Sequence, residues 1–310
     1  MIVTDSLAEL PATGPRGSVV SVGVFDGVHI GHREILRRNV ARARELDARP
    51  TVVTFRDHPK QLLLGRAPRT LTSLEHRLEL FRRAGIEHAL VLGFDERLRA
   101  MPAAEFAEEV LVRGLGARRL VLGFDSKFGN SRSGTPEELR RLGYEVEVVE
   151  QVIVRGRAAS STAIREAVEL GDLEAAREML GRPFTVYGEV IHGDGLGARL
   201  GFPTANLDPH HELLPPNGVY ACWATRPEQG TGTALQAVVN IGVRPTLGGA
   251  LPSQPRVEAH LLDFKGDLYG EVLELEFVLP LRAERRFGGL DELCAQIELD
   301  VGAARGILLR

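Results

Sequence analysis

Two apolar rhythms divide this 310-residue chain, and each admits one kind of architecture. From residue 18 to about residue 160, short runs rich in β-branched residues alternate with helix-length segments. The runs are SVVSVGVF from Ser18, TVVTF from Thr51, HALVLGF from His88, RRLVLGF from Arg118 and YEVEVVEQVIV from Tyr144. Strands of this kind, each followed by a helical pattern, describe a parallel sheet covered on both faces. Helix starts are marked by Thr72 with Glu75, by Thr135 with Pro136 and Glu138, and by Pro102 at a first helical position. In LTSLEHRLELFRRAG, Leu74, Leu78 and Phe81 share a face and Gly85 ends the turn. The first half is predicted to be a doubly wound α/β domain.

AIREAVELGDLEAAREMLG, from Ala163, reads as two short helices around Gly171 and Asp172, and Pro183 cannot extend the second. The rhythm then changes. FTVYGEVIHG, NGVYACWATR, ALQAVVNIG, RVEAHLLDF and EVLELEFVLPL are strand-like and separated by Gly, Pro and Asn. Leu273, Leu275 and Phe277 alternate with Glu274 and Glu276, the pattern of a half-buried antiparallel strand. A small antiparallel β-barrel is predicted, followed by a C-terminal helix that packs across it through Leu290, Leu293, Cys294, Ile297 and Val301. The boundary is placed at Pro183, giving domains 1–183 and 184–310.

Hydrophobic residues at 44% and charged residues at 26% are the balance of a folded chain. The net charge is −4 and Lys occurs only at 60, 127 and 265, so no basic face for nucleic acid is expected. Two cysteines, Cys222 and Cys294, make no CxxC pair, which fits a reducing compartment. MIVTDSLAELPATGPRG lacks a basic stretch followed by an apolar one, and no apolar run reaches membrane-spanning length. The expectation is a cytoplasmic protein without membrane partners.

In an open parallel sheet, ligands sit beyond the carboxyl ends of the strands, and VGVFDGVHIGHREIL is the first such exit. Gly27 and Gly31 allow close backbone approach, while His29 and His32 stand three residues apart at a helix start. Ring N–H groups fixed there can stabilise charge that builds up on a phosphate under attack. A capping imidazole with a surface imidazole as its neighbour would use the same residues. VLGFDSKFGN adds Asp125 and Asn130 to the rim, and RGRAASSTAIR adds Arg157, Ser160, Ser161, Thr162 and Arg165 at a helix start, where hydroxyls also serve as plain caps.

In the second half, HGDGLGARLGFPTANL carries glycines at 193, 195, 197 and 201 before Pro203, Thr204 and Asn206. No GxxxxGK[ST] occurs, so a Walker-type loop is excluded. Thr204 and Asn206 are two apart and share one side of an extended segment, able to aim oxygens at a metal and its phosphates. Glu258, opposite in phase to Val257 and Ala259, is either a solvated strand residue or a general base for phosphoryl transfer.

VGVFDGVHIGH, TFRDHP, GFDSKFG and SSTAIREAVELGDLEAAREMLGRPF resemble the adenylyltransferase half of bacterial bifunctional riboflavin kinase/FMN adenylyltransferases, within the nucleotidyltransferase superfamily. HGDGLGARLGFPTANL, GVYACW, AVVNIGVRPT, VEAHLLDFKGDLYG and LRAERRF through LDELCAQIELD resemble the kinase half. A class I aminoacyl-tRNA synthetase shares HIGH, but no KMSKS-like segment is present. The resemblance implies that the barrel phosphorylates riboflavin with ATP and that the first domain joins FMN to AMP from a second ATP, with Mg²⁺ in both steps. It further implies ATP and FMN binding by Gly23, Phe25, Asp26, Gly27, His29, Gly31, His32, His58, Asp125, Asn130, Arg157, Ser160, Ser161, Thr162 and Arg165. For the kinase it implies Gly193, Gly197, Arg199, Gly201, Pro203, Thr204, Asn206 and Asn240, with Mg²⁺ on Thr204 and Asn206 and Glu258 as base. Arg199 stands one place later than the family's usual arginine, and Asp57, Ser126 and Leu247 also depart from the pattern. A flavin- or nucleotide-binding regulator without turnover, or an adenylyltransferase for another phosphate acceptor with the barrel as a binding module only, would carry the same motifs.

Overall fold

The computed structural model describes residues 1–6, 16–65, 67–130, 133–210, 213–227, 234–242 and 255–309. VRPT and Leu247 from the reading above lie outside them. The chain divides into two units, Met1–Arg69 with Leu74–Ser161, and Thr70–Ser73 with Thr162–Arg310. That division falls earlier than Pro183, so the helical pair before Pro183 groups with the barrel rather than with the sheet.

In the first unit the elements run β1 (Ile2–Thr4), β2 (Ser18–Val22), α1 (Ile30–Glu45), β3 (Arg49–Phe55), α2 (Lys60–Leu64), α3 (Leu74–Arg83), β4 (His88–Leu92), α4 (Glu96–Ala100) and α5 (Ala103–Glu105). A π-helical stretch, Phe106–Gly114, continues α5. Then come β5 (Ala117–Gly123), α6 (Pro136–Arg141), β6 (Val146–Val149), and a hairpin of β7 (Ile153–Val154) with β8 (Arg157–Ala158). YEVEVVEQVIV is thus two strands, not one. The sheet order is β1-β4-β3-β2-β5-β6, parallel throughout. Leu36, Phe81 and Val121 belong to one apolar cluster, and Phe106, Leu111 and Leu122 to another. Neighbouring residues of β5, Val121 and Leu122, thus serve opposite faces, as a doubly wound sheet requires.

Thr135 caps α6 as expected, accepting from the Glu138 amide at 3.3 Å with Pro136 in the first turn. Helix α3 begins at Leu74, one residue later than a cap at Thr72 implies, and it buries His76, Arg77, Leu80 and Phe81 while Leu74 and Leu78 are only half-buried. The buried stripe therefore includes a charged residue that periodicity assigns to solvent.

The elements that follow are α7 (Ser161–Glu169), α8 (Leu173–Leu180), β9 (Thr185–Ile191), α9 (Leu196–Arg199), β10 (Ala205–Asp208), β11 (Gly218–Thr225), β12 (Leu235–Gly242), β13 (Arg256–Leu261), β14 (Val272–Ala283) and α10 (Leu290–Leu308). Asp172 caps α8 through the Ala175 amide at 3.0 Å. The six strands close into an antiparallel barrel in the order β10-β13-β12-β11-β14-β9. Pro280 lies in β14 beside a register shift against β11, where a ladder N–H can be missing. Helix α10 lies against β11, β12 and β14 and buries Asp300, Ala304 and Leu308. Leu290 is 57% exposed and does not join the packed face.

Two candidate active sites

Strands β3, β2 and β5 are neighbours, so the loops leaving their carboxyl ends share one edge of the sheet. The last ladder bond of β2 is the Gly23 amide to the Val53 carbonyl, at 3.0 Å. Beyond it the backbone turns left-handed at Phe25 (φ 54), Gly27 (φ 77) and Val28 (φ 40). For Phe25 and Val28 that conformation is held against intrinsic preference. Burial of the Phe25 ring helps to hold it: the ring meets Phe81 edge-on at 5.5 Å and His32 at 5.1 Å.

His29 caps α1, its Nδ1 accepting from the His32 amide at 3.4 Å. With Nδ1 accepting, the neutral ring carries its proton on Nε2. The His29 and His32 rings stack at 3.6 Å and 22°. A Cβ on Gly31 would come within 3.2 Å of the His29 ring, so the glycine in HIGH makes room for that stack. Burial above all, then the charges of His29 and Arg77, hold the His32 imidazole well below its ordinary 6.5. Its Nδ1 is shut off from solvent and meets no protein partner. The capping role fits one alternative drawn from the sequence, but His32 is not the surface residue that alternative required.

Asp26 is buried, and the hydroxyl of Ser161, the last residue of the first unit, donates to its carbonyl oxygen at 3.0 Å. Thr162 and Arg165 continue α7 into the second unit. His58, beyond β3, accepts from the Lys60 amide at 3.1 Å. Asp125 is exposed on the loop leaving β5, and the Asn130 amide side chain donates to the Ala100 carbonyl at 3.4 Å. Arg157 is exposed on β8 and Ser160 is half-buried just before α7.

In the barrel, strand pairing sets Asn206 opposite Glu258 and Glu258 opposite Asn240, a row across β10, β13 and β12. Val219 and then Arg282 extend the row onto β11 and β14. All five line a cavity of about 310 Å³. A second cavity, about 170 Å³, is lined by Gly193, Pro203 and Tyr269 and shares Thr204 and Asn206 with the first. A Cβ on Gly193 would overlap the Asn206 amide, so only glycine leaves that side chain its place. Gly197 lines the larger cavity, whereas Gly201 and Arg199 are exposed and line neither. Thr204 and Asn206 present hard, neutral oxygens at the seam, a donor set suited to Mg²⁺ when phosphate oxygens and water complete it.

Three contributors lack a sequence signal. His260 Nδ1 donates to the Pro203 carbonyl at 2.7 Å, tying the PTAN segment to β13. Arg282 grips Asp300 through two nitrogens at 2.8 and 3.0 Å, fixing α10 as a wall of the larger cavity. Arg77 is the third. Charged residues at such positions read as solvated faces, and only tertiary contacts reveal them.

The FAD synthetase family model matches residues 12–163 and the riboflavin kinase family model residues 180–308. A Pseudomonas fluorescens protein named bifunctional riboflavin kinase/FMN adenylyltransferase is 40% identical over 302 residues, 94% of this chain and 93% of its own. An Escherichia coli K12 protein of the same name is 37% identical over 94% of this chain and 92% of its own. A solved structure described as a macrolide-efflux protein from Streptococcus pneumoniae superposes with a TM-score of 0.81 at 29% identity, covering 98% of both chains. Among the described residues no helix is long and apolar enough to cross a membrane. The chain belongs to the family of bifunctional riboflavin kinase/FMN adenylyltransferases.

Proposed function

We propose that the chain carries out two successive steps of flavin cofactor synthesis. The riboflavin kinase domain transfers the γ-phosphoryl group of ATP to riboflavin, giving FMN and ADP. The FAD synthetase domain transfers AMP from a second ATP to FMN, giving FAD and pyrophosphate. The observation that carries the reading is the row of Asn206, Glu258 and Asn240 facing the larger cavity, where it meets the second cavity at Thr204 and Asn206.

In this reading the larger cavity takes riboflavin and the smaller takes ATP, so the phosphoryl group crosses at their seam. Glu258 accepts the proton of the terminal ribityl hydroxyl as its oxygen attacks, a role that needs a carboxylate within reach of the nucleophile. Thr204 and Asn206 would hold Mg²⁺. The ion offsets phosphate charge when bound. In the first unit, His29 Nε2–H and a His32 ring N–H donate to the α-phosphate of ATP, stabilising the charge that grows there during attack by the FMN phosphate. Asp125, Arg157, Ser160 and Ser161 bind and orient the nucleotide and flavin phosphates. The two free thiols, one of them buried, fit a reducing cytoplasm.

The test is incubation with riboflavin and Mg-ATP followed by chromatography of the flavins. FMN and then FAD are expected. Riboflavin bound but unchanged contradicts the kinase assignment, and FMN that accumulates without FAD contradicts the adenylyltransferase.

A further inference from the structure

We propose that Arg77 is a positioning residue of the adenylyl-transfer site, a buried guanidinium that fastens the loop bearing His29 and His32 to the end of β3. The proposal rests on the reading of the first unit given above. Arg77 is 4% exposed on α3. One terminal nitrogen donates to the carbonyl oxygen of Val24 at 2.7 Å, the other to that of Phe55 at 2.9 Å. These are strand ends where the ladder has stopped. Phe55 is the last residue of β3, and Val24 lies just past the final bond of β2 and just before the left-handed turn at Phe25. The Thr54 hydroxyl also donates to Val24, at 3.2 Å. Two strand exits that backbone bonding no longer holds together are thus joined through one rigid fork.

The arrangement is poorly explained as a device for stability alone. The Arg77 Nε is buried without a partner, and an unmet buried donor weakens the fold rather than strengthening it. Asp26, buried in the same loop, supplies an opposing charge. The positive charge acts in turn on His32, adding to the burial that keeps its ring neutral and to the repulsion that a proton on His29 would exert. Stacked imidazoles at 3.6 Å tolerate one charge far better than two. Arg77 therefore serves the pair twice, by fixing the loop and by disfavouring a second proton.

Arg77→Lys and Arg77→Gln in the full chain separate these contributions, since lysine keeps the charge and loses the fork. In both variants kcat for FMN adenylylation is expected to fall about 100-fold, with the KM for FMN and for ATP changing far less. Riboflavin phosphorylation in the same preparations should stay at the wild-type rate. Nitrogen-15 histidine NMR should show His32 titrating at higher pH in the glutamine variant and near its wild-type position in the lysine variant. Wild-type kcat in the lysine variant overturns the proposal, as does an unchanged His32 titration in the glutamine variant. Thermal melting that shows the first unit unfolded in both variants overturns it too, by making Arg77 a folding residue. Failure of the wild-type protein itself to make FAD would refute the adenylyltransferase reading instead.

Discussion

Asn206, Glu258 and Asn240 line up because adjacent antiparallel strands place paired residues on the same face. The row sets a carboxylate between two amides at the wall of the larger cavity, the place where the proposed reaction needs its base. Gly193 supports the same set by leaving room for Asn206. Gly193→Ala is expected to lower kinase kcat by at least about tenfold while leaving FMN adenylylation unchanged, measured on the two half-reactions separately. Equal rates for variant and wild type would show that Asn206 needs no such clearance. Where HIGH, PTAN and Glu258 stand on their elements was legible in sequence, because those signals are local. The partners of those residues were not. His260, Arg282 and Arg77 gain their roles from contacts made across tens of residues, and a charged side chain on an amphipathic element reads as solvated until its neighbours are known.

Elements hold the sites through a few buried polar joints. Asp300 is 5% exposed on α10 and receives both Arg282 and the Gln296 amide, the latter at 2.8 Å. Removing the acid strands a guanidinium against the cavity wall, so Asp300→Ala should cost about 3 kcal/mol in chemical denaturation and raise the KM for riboflavin. An unchanged KM with reduced stability would confine the pair to packing. On the edge of the sheet, His88 Nε2 meets the Thr4 hydroxyl at 2.9 Å, joining β4 to β1. Burial, then the charge of Arg49, pushes this imidazole from 6.5 down to about 4. The folded state keeps His88 neutral where the unfolded chain protonates it. Its contribution is whole above pH 6.5, declines as pH falls from there, and is gone below about pH 4. With partial solvation allowed for, the loss is about 2 kcal/mol. Melting curves between pH 7.5 and 4.5 should therefore fall more steeply for wild type than for His88→Gln, and parallel slopes would contradict the account. Strands and capped helices such as α6 were readable because their signals are short-range. The face of α3 was not, since burying Arg77 in place of Leu74 and Leu78 depends on carbonyls supplied by β3 and the β2 exit.

Across the whole molecule, the change of apolar rhythm separates a parallel sheet from an antiparallel barrel, and each half presents its own chemistry. The boundary was the least legible feature. Pro183 ends a helix, but where α8 belongs depends on which core receives its apolar face, and α8 packs with β14. Two separate sites in one chain mean that each reaction should be removable without the other. The decisive measurement is the product profile from riboflavin and from FMN, each with Mg-ATP, for Glu258→Gln and for the double variant His29→Ala, His32→Ala. Glu258→Gln should make no FMN from riboflavin yet convert added FMN to FAD at the wild-type rate, while the histidine variant should make FMN and stop there. Loss of both activities in either folded variant, or survival of the activity each variant is meant to remove, would contradict the assignment of one reaction to each half.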